Sequence, residues 1–129
     1  MIKNNNKMKQ IILIAVMLLS TMLYAQESTY KNVNVQQFEN FKTAKEKTLL
    51  DVRTPKEFQD GHIKDAKNLN YFDKSFKSEL EKLDKNIPVY VYCRSGGRSG
   101  KAMQMMKEMG FTTVYNLMGG YLSWSKNAK

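Results

Sequence analysis

Val89-Tyr90-Val91-Tyr92-Cys93-Arg94-Ser95-Gly96-Gly97-Arg98-Ser99 runs β-branched and aromatic residues straight into the chain's only cysteine and a turn with two glycines. Its first four residues show no polar alternation, which predicts a strand buried on both faces. Beyond the turn, Ala102, Met105, Met106 and Met109 recur at helical spacing over Lys101 to Met109, and Gly110 closes that segment as a C-terminal cap. The stretch therefore reads strand, turn, helix, with the helix opening near Ser99. Working outward, Thr48 to Val52 is a second β-prone run, ending in Asp51, Val52 and Arg53. Thr54, Pro55 and Glu57 then form a capping box with proline in the first helical position, and Gly61 ends that short helix. Ala66 to Leu69 predicts a brief strand, Ser75 to Leu83 a helix, and Thr112 to Leu117 another strand. Gly119 and Gly120 predict a turn before a final helix, Tyr121 to Lys126, that carries Trp124. Phe38, Phe41 and Ala44 place a helix over Val35 to Lys45, and the polar segment before it suggests no element. Strands alternating with helices predict one α/β domain with a mainly parallel sheet, whose ligands bind beyond the carboxyl ends of the strands. Cys93 stands at such an end.

The chain has 129 residues, enough for one core and not two. Lys3, Lys7 and Lys9 precede the apolar run Ile11 to Leu19, and the more polar Ser20 to Tyr24 leads to Ala25, the layout of a signal peptide. The run is shorter than the roughly 20 apolar residues that span a bilayer. Residues 1–25 are therefore expected to be removed after Ala25, leaving 26–129 as a single domain that is exported and periplasmic. The alternative is a segment retained as a membrane anchor, since Leu23 is larger than the residue preferred three positions before a cut. No cysteine lies near the run, which excludes lipid attachment there. The formal net charge is +9, a field that favours anionic small molecules. No basic stripe interleaved with aromatics points to nucleic acid.

Cys93, Arg94, Ser95, Gly96, Gly97, Arg98 and Ser99 have a chemistry of their own if a strand ends at Tyr92. Glycines let successive N–H groups turn inward and form an anion nest at the positive end of a helix. A thiol in that nest, flanked by two guanidinium groups, should titrate below a free cysteine. The same donors that favour a thiolate can stabilise a persulfide or a thiosulfate-like anion. A lone thiol in an oxidising compartment cannot form an internal disulfide, and no Cys-x-x-Cys pair supports dithiol exchange.

Cys93 to Ser99, together with Leu50-Asp51-Val52-Arg53-Thr54-Pro55-Lys56-Glu57-Phe58, Gly61-His62-Ile63 and Asn68, resembles a single-domain rhodanese of the thiosulfate sulfurtransferase family. Gly119-Gly120 with Trp124 is similar to the family's closing segment, and the resemblance spans essentially the whole chain after the leader. It implies a rhodanese-like three-layer fold with a mostly parallel five-stranded sheet flanked by helices. It also implies that Cys93 takes a sulfane sulfur from a small anionic donor such as thiosulfate and passes it to a thiophilic acceptor, cyanide or a thiol, including a protein thiol. The backbone of Arg94 to Ser99 would cradle the persulfide, and Arg94 and Arg98 would meet the donor's charge. No cofactor is needed. One departure is Asp65-Ala66 where the family usually has Gly-Ala. Cysteine phosphatases and arsenate-reducing relatives place arginine six residues after the nucleophile; here Arg98 comes five after, which removes up to about 3.5 Å of contour and suits a smaller anion.

Several residues read as scaffold. Asp51 and Arg53 predict an ion pair or cap, with support of the Cys93 loop as the alternative. His62 is expected to be buried and hydrogen-bonded rather than catalytic. The methionines fit core positions, and one cysteine with one histidine makes no closed metal site. Tyr71, Phe72 and Asp73 border the expected entrance. Besides turnover, the loop is compatible with a persulfide carrier that does not turn over, and with an exposed oxidant-sensing thiol.

Overall fold

A computed structural model describes residues 2–23 and 27–127. The expected leader boundary after Ala25 lies outside the described residues. Helix α1 (Ile2–Leu23) carries the apolar run, with Ile11 to Ile14 exposed. Among the described residues no helix is long and apolar enough to cross a membrane.

Five strands form one sheet: β1 (Thr29–Val33), β2 (Thr48–Asp51), β3 (Lys67–Asn68), β4 (Val89–Tyr92) and β5 (Thr113–Leu117). Their order is β1-β5-β4-β2-β3, and every pairing is parallel. The central strand β4 is buried at every position, as its unbroken run of Val and Tyr requires. Its side chains alternate between two cores. Val89, Val91 and then Cys93 join Leu50, Val52, Leu80, Ala102 and Met106 on one face, under α4 (Phe76–Glu81) and α5 (Gly97–Glu108). Tyr90 and Tyr92 enter the other face with Phe38, Phe41 and Leu117, where Trp124 of α6 (Gly120–Asn127) packs. Edge-to-face rings dominate this second core, Phe38 meeting Tyr90 at 5.6 Å and Trp124 at 6.3 Å. Such pairs add about 0.5–1.5 kcal/mol each beyond their burial. The result is a three-layer α/β domain.

Two elements differ from expectation. Strand β1 occupies the polar segment to which no element was assigned, adding an edge strand beside β5. The helix expected over Val35 to Lys45 is α2 (Val35–Phe38) followed by a 3-10 turn (Glu39–Lys42). Phe38 and Phe41 both enter the core, and the tighter 3-10 winding aligns side chains three apart where an α-helix would splay them. Elsewhere local signals act as read. Thr54 and Glu57 close a reciprocal capping box on α3 (Pro55–Gln59). Gly110 takes φ 91°, and the N–H groups of Gly110 and Phe111 return to the carbonyls of Lys107 and Met106, ending α5 in a Schellman motif.

Asp65, the departure from the Gly-Ala usual in the resembled family, adopts φ 70°, the one non-glycine residue at positive φ among those described. It occupies the third position of a turn closed by Ala66 N–H on the Ile63 carbonyl at 3.1 Å. Aspartate tolerates that region better than most side chains, and β-branched residues least. Asp65→Val should therefore lower stability by about 1–2 kcal/mol, whereas Asp65→Gly should leave it unchanged or raised, as read from urea melts. Equal losses in both variants would contradict this account of the turn.

Candidate active site

β4 ends at Tyr92, and the chain must leave the sheet without abandoning the buried polar groups of its last residues. Cys93 continues the strand's alternation and points into the core beneath α5, which leaves it 1% exposed. This corrects the expectation of an exposed thiol: strand parity directs the side chain inward, and the turn folds over it. Gly96 adopts φ 113° as the residue before α5, the conformation that aims its N–H back at the sulfur, 3.1 Å from Cys93 Sγ. Ser99, in the first turn of the helix, donates its hydroxyl to the same sulfur at 3.3 Å and stands 3.2 Å from the Gly96 carbonyl. Its proton can serve either acceptor, and an ionised sulfur is the stronger one. Burial pushes the Cys93 thiol up. The Ser99 hydroxyl and the backbone N–H groups of Ser99, Gly96 and Ser95 outweigh it and hold the group below the ordinary range for a thiol. Of the two loop glycines, only Gly96 is required for its backbone angle. A Cβ at Gly97 would meet nothing within 4 Å, so that position adjoins open space.

The arginines divide. Arg94 is exposed. Arg98 turns its fork onto the Glu57 carboxylate, 2.8 and 2.9 Å on its two nitrogens. The expectation that both guanidinium groups stand free to meet an anion is corrected to one. The physical reason lies in the capping box, which fixes Glu57 at the start of α3 with its carboxylate toward the first turn of α5. The Arg98 hydrogen bonds, opposed by burial and aided by Thr54, hold the Glu57 carboxyl down at about 2. Glu57 was read from the sequence only as a cap; its partner is 41 residues away and left no local signal.

A second contribution invisible in the sequence comes from behind the loop. The N–H of Tyr121 donates to the Cys93 carbonyl at 2.8 Å, and that of Leu122 to the Arg94 carbonyl at 3.1 Å. The first turn of α6 thus caps the carbonyls that the ending strand leaves unpaired. Gly120 lets the two backbones meet. At φ 57°, a Cβ there would lie 2.5 Å from both the Cys93 and Arg94 carbonyl oxygens. The Gly119-Gly120 pair, read as a turn, also admits the active loop against this helix.

Asp51 and Arg53 form a buried ion pair, with Arg53 Nη2 2.7 Å from Asp51 Oδ2 and 2.7 Å from the Gly61 carbonyl. The Arg53 guanidinium lies 4.3 Å from the centre of the Tyr121 ring. Its link to the Cys93 loop is therefore indirect, through the residue whose N–H caps Cys93. Asn68 bridges the carbonyls of Asp51 and Arg53 at 3.1 and 2.9 Å. His62 is hydrogen-bonded as expected, to the Phe58 carbonyl at 2.7 Å, but it is exposed and stacked on the Phe58 ring instead of buried. Its packing against Phe58 of α3, on the surface, takes the place of the expected core position. Phe72 covers Arg98, its ring centre 5.5 Å from the guanidinium carbon.

Two consequences are measurable. Because the Ser99 hydroxyl makes the largest downward contribution to the thiol, Ser99→Ala should raise the midpoint of thiolate absorbance and shift any thiolate-dependent rate toward alkaline pH. An unmoved midpoint would assign the depression to the backbone alone. Gly120→Ala forces a carbon into the backbone of Cys93 and Arg94 and should cost at least about 2 kcal/mol in denaturant unfolding. Thiol reactivity should change with it; a neutral substitution would contradict the close approach.

With the geometry in hand, comparison with known proteins gives a consistent result. The family model for the rhodanese-like domain matches residues 34–127. Thiosulfate sulfurtransferase GlpE of Shewanella oneidensis is 34% identical over 97 residues, covering 75% of this chain and 94% of that protein. Protein YqhL of Bacillus subtilis is 40% identical over 81 residues, and the match spans 63% of each chain. The crystal structure of a rhodanese-related protein from Thermoplasma volcanium has a TM-score of 0.66 at 28% identity, covering 77% of this chain and 94% of that one. A strand that delivers Cys93 into a donor-lined turn within a five-stranded parallel sheet, and a match over the whole of that sheet's helical surround, lead to one assignment: this chain belongs to the rhodanese-like domain family.

Proposed function

We propose that the protein is a sulfurtransferase in which Cys93 carries a sulfane sulfur as a persulfide. The observation that carries this reading is the buried Cys93 sulfur held by the Gly96 N–H and the Ser99 hydroxyl. The Cys93 thiolate attacks the outer sulfur of a donor such as thiosulfate. A new S–S bond forms, the donor's own S–S bond breaks, and the electron pair leaves with sulfite. The persulfide keeps one negative charge, which the inward N–H groups of the turn are suited to stabilise. An acceptor, cyanide or the thiolate of a small molecule or protein, then attacks the terminal sulfur and returns Cys93 as thiolate. The rival oxyanion chemistry is disfavoured because Arg98 faces Glu57 and not the centre of the turn. The three lysines ahead of the apolar run Ile11 to Leu19 support export, with the domain acting in the periplasm and an uncleaved α1 as the tethered alternative.

The test is thiosulfate-dependent transfer to cyanide by wild type and Cys93→Ala, together with intact mass after donor treatment. Turnover should disappear in the variant, and wild type should gain one sulfur atom on Cys93. A sulfur adduct without steady-state turnover would favour the carrier reading, and the absence of both would refute sulfur transfer. The same spectrum of protein recovered from expressing cells reports whether the chain begins at Gln26.

A further inference from the structure

A cavity of about 530 Å³ lies at the end of the sheet opposite Cys93. Lys47 in its wall immediately precedes β2, and Ile63, Lys64 and Asp65 belong to the turn ahead of β3, so both segments stand at the amino ends of their strands. Asp51 is level with Tyr92 in the parallel pairing of β2 with β4, which puts Lys47 about five residues of strand, roughly 16 Å, behind the level of Cys93. The floor is apolar. Strand alternation sends Leu49 to this face, where it meets Ile63, Phe41 of the 3-10 turn and the half-buried ring of Trp124 from α6.

The rim is basic: Lys42, Lys47 and Lys64 line it against one carboxylate, Asp65. Lys42 is already matched, with Nζ 3.2 Å from Glu39 Oε1 and 5.2 Å from the centre of the Trp124 ring. Lys47 and Lys64 are exposed, and no ion pair among the described residues includes either of them. The Lys47 ammonium reaches only the Ala44 carbonyl, at 3.4 Å. Asp65 is exposed and likewise outside those ion pairs, so the lining keeps an excess of positive charge.

A volume of this size falls within the range of small-molecule sites, where an apolar body is covered and a few polar groups fix its orientation. An inorganic anion would leave Trp124 and Ile63 uncovered, and a neutral hydrocarbon would leave Lys47 and Lys64 without a counter-charge. The geometry points to a second ligand site, for a small amphiphilic carboxylate whose aliphatic or aryl body lies over Trp124 and Ile63 and whose head is held by the Lys47 and Lys64 ammonium groups. Binding there is reversible and non-covalent, and it is independent of sulfur chemistry at Cys93.

The chain has one tryptophan and one histidine, Trp124 and His62, and both line this cavity. They are built-in reporters that separate binding here from adsorption on the exposed apolar residues of α1. Titration of the untagged full chain with octanoate should change Trp124 emission and shift the His62 imidazole proton resonances saturably, with one shared Kd. Hexanoate, shorter by two methylenes, should bind about tenfold more weakly, and 1-octanol about fivefold more weakly, as expected of exposed ion pairs. The double variant Lys47→Gln with Lys64→Gln, changed only at the surface, should bring octanoate within about twofold of 1-octanol and leave the unfolding midpoint in place. Octanoate binding that moves neither reporter overturns the site. Equal affinity for octanoate and hexanoate overturns the role of the apolar floor, and equal affinity for octanoate and 1-octanol in wild type overturns that of the lysines. A Trp124 response to vesicles of anionic phospholipid without one to free octanoate overturns the small-molecule assignment in favour of membrane contact.

Discussion

Two backbone hydrogen bonds, from Tyr121 to the Cys93 carbonyl and from Leu122 to the Arg94 carbonyl, are the constraint on which the site depends. A central strand that stops inside a protein strands its last carbonyls, and leaving such groups unpaired costs about 1–3 kcal/mol each. Here the opening turn of α6 supplies the missing donors. Because those donors come from main chain, the Cys93–Arg94 backbone is placed by the fold and not by a mobile side chain. On the other side of the turn the Gly96 N–H meets the sulfur at 3.1 Å, and the amides of Ser95 and Ser99 add to the lowering of the thiol's titration. The loop's carbonyls look backward to a helix, and its amides look inward to a thiol.

The sulfur itself sits in a balance of opposed terms. Strand alternation carries it into an apolar core, where ionisation is penalised; the turn returns enough hydrogen-bond donation to reverse the sign. The contribution is local and uncharged, from amides and one hydroxyl. That arrangement leaves the nearby arginines available for other work. Arg98 spends its fork on joining α3 to α5, and Arg94 stays in solvent. Charge is thus kept at the rim while dipoles act on the reacting atom, a division that lets the thiol's acidity and the site's attraction for anions be set by different residues.

Much of this was legible from short-range pattern. The strand β4, the turn after it, the capping box of α3 and the glycine stop of α5 are each written within a few adjacent residues, and each forms as read. What escaped is what the fold assembles over distance. Strand β1 is half-exposed and polar, and it pairs with β5 at the far end of the chain, as the Asn32–Asn116 hydrogen bond across 84 positions shows. The α2 helix tightens because two phenylalanines share one core, a tertiary demand that overrides helical periodicity. Glu57 carries a complete local explanation as a cap, and that sufficiency hid its second partner. Gly120 looked like any turn glycine until the neighbouring backbone was in view.

Asp65 holds a backbone angle that glycine would adopt freely, and holds it without disturbing the turn that leads into β3. Aspartate and glycine codons differ by a single base at their centre. The position is therefore one point mutation away from the residue with the lower conformational cost, and the intermediate steps involve no third amino acid. Genetic drift between the two can proceed in either direction with little consequence for folding. A change to a branched residue closes that route, since it meets the steric barrier that aspartate only grazes.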